Sequence, residues 1–312
     1  MSADADADRA AAAAARPHMT LPMIGTLLAV TVVWGFNFAV VKTGLGLVPP
    51  IAFVALRFAV VGLMLLPWLR WPQRRFRDLL ILSVVLGVVH FSLMFTGMRG
   101  LDVPTASIAI QLQVPFAAIL AAIFFKETLH WRRLTGMAIA FAGVVLIAGE
   151  PRLSGNLLPL FEVIAAACFW AGATIQIKRI GDDVDVMALN GWVALLAAPQ
   201  LALLSWATEH DQVAAIAAAG WRLWASLAFQ AVLVTIFGYS IWYRLMRRFS
   251  VNQVMPFTLL VPLFGVLSGV IFFHDQLTLL MQVGGLCTIL GVGIITIRRP
   301  RVIAPATKAA GL

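Results

Sequence analysis

Charge is what this chain has least of. Only 12% of its 312 residues are Asp, Glu, Lys or Arg, whereas a soluble domain carries about 25%. A water-facing surface cannot be assembled from that supply. Cys168 and Cys287, the only two cysteines, provide neither a disulfide framework nor a metal-binding spacing. Both fall in apolar stretches and read as small packing residues. No Asp or Glu stands at the centre of an apolar run, Glu162 coming nearest, and the five histidines are scattered. HExxH, GxSxG and phosphate-loop motifs are missing too. Without a convergent nucleophile and base, paired carboxylates or metal ligands, an intramembrane enzyme is a remote alternative. The sequence gives no reason to expect a metal or a cofactor.

What the chain does have is long apolar runs. Residues 21–41, 79–98, 103–125, 186–208, 223–243, 249–273 and 276–297 contain no charged side chain. Three shorter runs, 50–69 (broken once by Arg57), 134–149 and 163–177, complete a set of ten. A helix needs roughly 20 such residues to cross the hydrocarbon core. Backbone groups in lipid must be satisfied internally, so the expected fold is an all-α membrane protein of ten transmembrane helices. The net charge of +9 does not point to nucleic acid, because the basic residues alternate between segments. With the N-terminus in the cytoplasm, 18 of the 23 Lys and Arg lie inside; Lys42, Arg99, Arg152 and Arg222 lie outside, and Arg57 is buried in a span. The positive-inside rule then puts both termini in the cytoplasm of a multi-pass membrane protein.

The chain also repeats itself. Trp34 and Lys42 stand eight residues apart, each closing an apolar run, and so do Trp170 and Lys178. Glu127 and Asp275, Gly136 and Gly284, and Gly143 and Gly291 are each 148 apart; Pro115 and Pro262 are 147 apart. A fixed-period echo of this kind marks a duplicated unit. The expected organisation is a disordered tail at 1–20, one five-helix repeat at 21–150, a second at 151–299 and a tail at 300–312. An odd helix number turns the second copy upside down, the inverted arrangement in which secondary transporters hold substrate near the midplane.

Candidate site residues follow from polar or aromatic groups on helical faces. Trp34, Phe38 and Lys42 share one face of helix 1 with Asn37 on its flank. Trp34 reads either as an interfacial anchor or as a cavity wall; Trp170 and Thr174 stand in the matching stretch of helix 6. Arg57 lies roughly 10 Å into helix 2. An intramembrane Arg is costly, so it either snorkels to the surface or faces an anionic group. His90 falls on a stripe with Ser83, Gly87 and Met94, and is either packed or a proton carrier. In helix 4, Gln111 shares a side with Ser107 and Pro115, while Gln113 points nearly opposite. Helix 8 aligns Thr235, Tyr239 and Trp242, and helix 9 opens with Asn252. The glycines of helix 5 (Gly136, Gly143, Gly149) suit close helix approach.

The run Trp34-Gly35-Phe36-Asn37-Phe38 with Lys42, Pro50 and Leu56-Arg57-Phe58 resembles the first repeat of the EamA family, within the drug/metabolite transporter superfamily. Both repeat ends fit as well, through Pro115 to Glu127 and Pro262 to Asp275 with their paired glycines. That resemblance spans about residues 23–298. It implies an inner-membrane exporter of amino acids, their derivatives or related metabolites, similar to bacterial cysteine and O-acetylserine exporters. An exporter of drugs or toxic compounds is the alternative. The expected partners are a small-molecule substrate and the lipid bilayer, with a homodimer left open. Because no carboxylate sits at the midplane, facilitated efflux or exchange is expected, with His90 the one route to proton coupling.

Overall fold

In the computed structural model, residues 20–125, 130–150, 153, 155–242, 245 and 254–296 are described. Every regular element among them is helical. The helices are α1 (Leu21–Leu45), α2 (Pro50–Leu65), α3 (Phe76–Gly100), α4 (Val103–Phe124) and α5 (Trp131–Ala148). They continue as α6 (Leu158–Ile180), α7 (Val186–Thr208), α8 (Gly220–Trp242), α9 (Phe257–Phe273) and α10 (Leu279–Thr296). A short helix, Gln212–Ala218, joins α7 to α8. Among the described residues nine helices are long and apolar enough to cross a membrane, so the chain is an all-α membrane protein. The expected tenth span, α9, is apolar but shorter. Its first turns are wound as a 3-10 helix, and residues 246–253 ahead of it lie outside the described part. Both expected tails also fall almost wholly outside it.

Local chemistry sets the helix ends. Proline stands in the first turn of α2, α4 and α6, where a missing N–H costs nothing. The Asp102 carboxylate accepts the Thr105 N–H at 2.8 Å to cap α4, and Asp185 accepts the Met187 N–H at 2.9 Å to cap α7. Glu209, just past α7, accepts the N–H groups of Ile51 and Ala52 at 2.8 and 2.9 Å. One carboxylate thereby satisfies two orphan donors at the start of α2.

Five helix pairings organise the bundle: α2 with α7, α5 with α10, α1 with α9, α4 with α6, and α3 with α6. Further contacts join α3 to α7, α4 to α9 and α1 to α8. The α5–α10 crossing depends on glycine, as the sequence leads one to expect. A Cβ on Gly284 would lie 2.5 Å from the Gly143 carbonyl oxygen, and one on Gly291 2.5 Å from that of Gly136. At one end of the bundle lie Lys42, Glu209 and Asp275. At the other, Trp192 donates to the Arg70 carbonyl at 2.9 Å, and Arg75 bridges Asp78 and Asp183 at 3.0 and 2.6 Å. These hydrogen bonds, that to Asp183 foremost, hold the exposed Arg75 above its usual pKa. Gln176 of α6 also donates to Asp78, tying α6 to the start of α3.

Candidate functional site

Four helices depart from regular winding, and they do so in matching places. In α3 the stretch Ser83–His90 is π-wound, and in α8 so is Phe229–Tyr239. α4 tightens into a 3-10 turn at Ile110–Leu112, just before Pro115; α9 does the same at Met255–Leu259, before Pro262. Irregular backbone at membrane depth is tolerated only where protein buries it or it lines a cavity. Wide π turns are moreover frequent at functional sites.

The two π-wound stretches end in rings that face two tryptophans. Trp34 of α1 packs on Tyr239 at a centroid distance of 5.5 Å and on Trp242 at 5.3 Å. Its indole N–H donates to the Val234 carbonyl, at 3.4 Å, from α1 across to α8. Trp170 of α6 packs on His90 at 5.0 Å. The His90 ring is buried and its Nδ1 lies 2.8 Å from the Ala166 carbonyl oxygen. A carbonyl only accepts, so Nδ1 carries the hydrogen in that bond. Trp34 and Trp242 also join a small apolar cluster with Met23, Leu27, Leu245 and Val254, separate from the main core.

Arg57 lies beside these rings. It is only 5% exposed, and its guanidinium carbon sits 4.7 Å from the centroid of Phe91, with Phe95 and Phe58 at 5.9 and 6.0 Å. Tyr239 and His90 are the ionisable groups within its electrostatic reach. The guanidinium forms no ion pair with a described residue. Glu162, the acidic residue nearest the centre of an apolar run, forms no ion pair with Arg57. A buried cation lined by aromatic faces, with no ion pair to a described residue, suits an anionic group arriving from outside the chain.

The other sequence candidates divide. Phe38 packs close to Gly265 where α1 meets α9, and the Asn37 side-chain oxygen is buried without a hydrogen-bond partner. Gln111 is buried, and the 3-10 turn brings Gln113 Nε2 to 3.5 Å from its Oε1. This corrects the expectation that the two amides point apart, which assumed an unbroken helix. Lys42 has turned to structure: its ammonium donates to the carbonyls of Met98, Arg99 and Leu101, capping the end of α3. Thr174 is exposed and bonds back to the Trp170 carbonyl, away from the ring pairs. Asn252 lies outside the described residues. On the His90 stripe, Ser83 accepts from Gln200 and Gly87 packs on Ala197, so those two hold α7. Cys168 is exposed rather than packed.

Sequence reading missed Phe91, Phe95 and Gln230. The two phenylalanines stand at i and i+4 beside His90, a signal that was available but reads as core. Gln230 is fully buried with Oε1 unpartnered. Among the described residues no group of three or more His, Cys, Asp or Glu could hold a metal.

Comparisons with known proteins converge on one family. The profile of the EamA-like transporter family matches residues 21–149 and 157–297. A probable amino-acid metabolite efflux pump of Escherichia coli (strain K12) is 31% identical over 276 residues, covering 86% of this chain and 92% of that protein. Its counterpart in Salmonella typhimurium is equally similar. An uncharacterised transporter of Bacillus subtilis, YoaV, is 23% identical over 287 residues. One crystal structure matches with a TM-score of 0.59 at 16% identity, covering 88% of this chain and 97% of that one; this likeness speaks to the fold alone.

Proposed function

The chain belongs to the EamA-like transporter family, and from that premise we propose that it exports amino acids or their derivatives by alternating access. Its work is carriage of small metabolites across the membrane rather than chemistry upon them. The observation that carries the substrate class is Arg57, a buried cation ringed by Phe91, Phe95 and Phe58 with no ion pair to a described residue. Its planar fork matches a carboxylate bidentately. Trp34, Tyr239 and Trp242 offer aromatic faces suited to the ammonium or apolar side of the same solute.

Two inverted five-helix repeats, with α9 as the tenth span, account for the packing. Exchanging each helix for the one five places on turns α1–α9 into α6–α4 and α3–α6 into α8–α1. The same exchange leaves α2–α7 and α5–α10 as themselves. With the Lys42 end outside, both termini lie in the cytoplasm and the Trp34–Trp242 cluster closes the inner side. The Trp170–His90 pair is its counterpart in the other half. Midplane binding at the repeat interface follows from such an arrangement.

Counterflow in proteoliposomes tests the reading. Vesicles loaded with an unlabelled neutral amino acid should accumulate the labelled one, and amidating its carboxylate should abolish the effect. Equal counterflow of the acid and its amide would remove the carboxylate from recognition.

A further inference from the structure

A groove of about 340 Å³ lies between α1 and α8 at the Lys42 end. Val40 and Thr43 of α1 form one wall; Trp221, Arg222, Ala225 and Phe229 of α8 form the other. Thr43 stands in the last turn of α1 and Trp221–Arg222 in the first turn of α8, at the level of the lipid headgroups. Val40, Ala225 and Phe229 lie one to two turns deeper, at the level of the acyl chains. Cation outside and apolar surface inside is the layering of a phospholipid.

Arg222 forms no ion pair with a described residue. It is also among the few basic residues assigned to the outer segments. Trp221 is 76% exposed, an amphipathic ring suited to the membrane interface. We propose that this groove is a binding site for an anionic phospholipid, its phosphodiester at Arg222 and one acyl chain along Val40, Ala225 and Phe229. The occupant is lipid because the groove opens on the flank of two spanning helices, where bilayer is the surrounding medium. The groove lies on the same two helices as the proposed transport site: Phe229 begins the π-wound stretch that ends at Tyr239, and Val40 lies six residues from Trp34. A seated lipid therefore braces the two helices that carry the Trp34–Tyr239 pair.

Native mass spectrometry of the purified protein, titrated with phosphatidylglycerol against phosphatidylcholine, tests the site. Wild type should prefer the anionic lipid roughly fivefold, the contribution of one arginine near the surface. Arg222→Gln should lose that preference and Arg99→Gln, at the same end of the bundle, should keep it. Ala225→Phe, which fills the groove and leaves the charge, should lose the retained lipid. Each variant is first checked for a monodisperse elution profile, and one that fails the check is replaced by Arg222→Met or Ala225→Leu. Three results would overturn the proposal: an unchanged preference in Arg222→Gln, an equal loss in Arg99→Gln, or cysteines at position 225 that cross-link two copies.

Discussion

His90 and Tyr239 hold matching places in α3 and α8, each the last residue of a π-wound stretch and each facing a tryptophan from a neighbouring helix. Their partners, Trp34 and Trp170, each stand eight residues before a lysine, Lys42 and Lys178. Aromatic pairs at such distances are worth about 0.5–1.5 kcal/mol beyond their burial. A double-mutant cycle of Trp34→Leu with Tyr239→Leu, read by thermal unfolding in detergent, should return a coupling in that range. Additive losses would mean that the rings touch without supporting each other.

Asn37 keeps a buried oxygen without a partner, which costs stability unless something else donates to it. Asn37→Leu should therefore raise stability by about 1–3 kcal/mol, and a role for this acceptor in binding solute predicts that it also lowers flux. A variant that is more stable and transports normally would return Asn37 to packing.

The α5–α10 crossing gives a contrast between glycines. Gly143→Val puts a side chain against the backbone of Gly284 and Thr288, and overpacking of this kind costs about 1–3 kcal/mol. Gly25→Ala meets nothing within 4 Å and should be silent. The check is the yield of monodisperse protein; equal yields would contradict the close approach.

Sidedness can be read at Ala215, in the helix that joins α7 to α8. With the Lys42 end outside, Ala215→Cys in a background lacking Cys168 and Cys287 should react with a membrane-impermeant thiol reagent on intact cells. Reaction only after lysis would place that end in the cytoplasm and reverse the direction assigned to export.

The spans were legible in the sequence because lipid leaves the backbone few options, and charge-free runs mark them directly. The two stretches that match the family, 21–149 and 157–297, carry similar backbone-determining residues in the sequence: Gly143 and Gly284, Pro115 and Pro262. The candidate site was legible in part. Trp34, Arg57, His90, Trp170 and Tyr239 stand out as polar or aromatic groups in apolar runs. Their assembly depends on π and 3-10 windings, which shift a face by a fraction of a turn and leave no compositional mark. For the same reason the 3.6-residue period misplaced Gln113 relative to Gln111. Lys42 misled for another reason: an ammonium that caps carbonyls cannot be told from one awaiting substrate until the end of α3 is in place.

Arg57 carries the central claim, and flux of a carboxylate-bearing solute through its variants tests it most directly. In proteoliposomes, Arg57→Gln should reconstitute with wild-type yield, since no bridge to Glu162 is broken, and should lose counterflow of the neutral amino acid. Arg57→Lys should recover little of it, because an ammonium cannot reproduce the bidentate fork. Wild-type counterflow by well-folded Arg57→Gln would contradict the account.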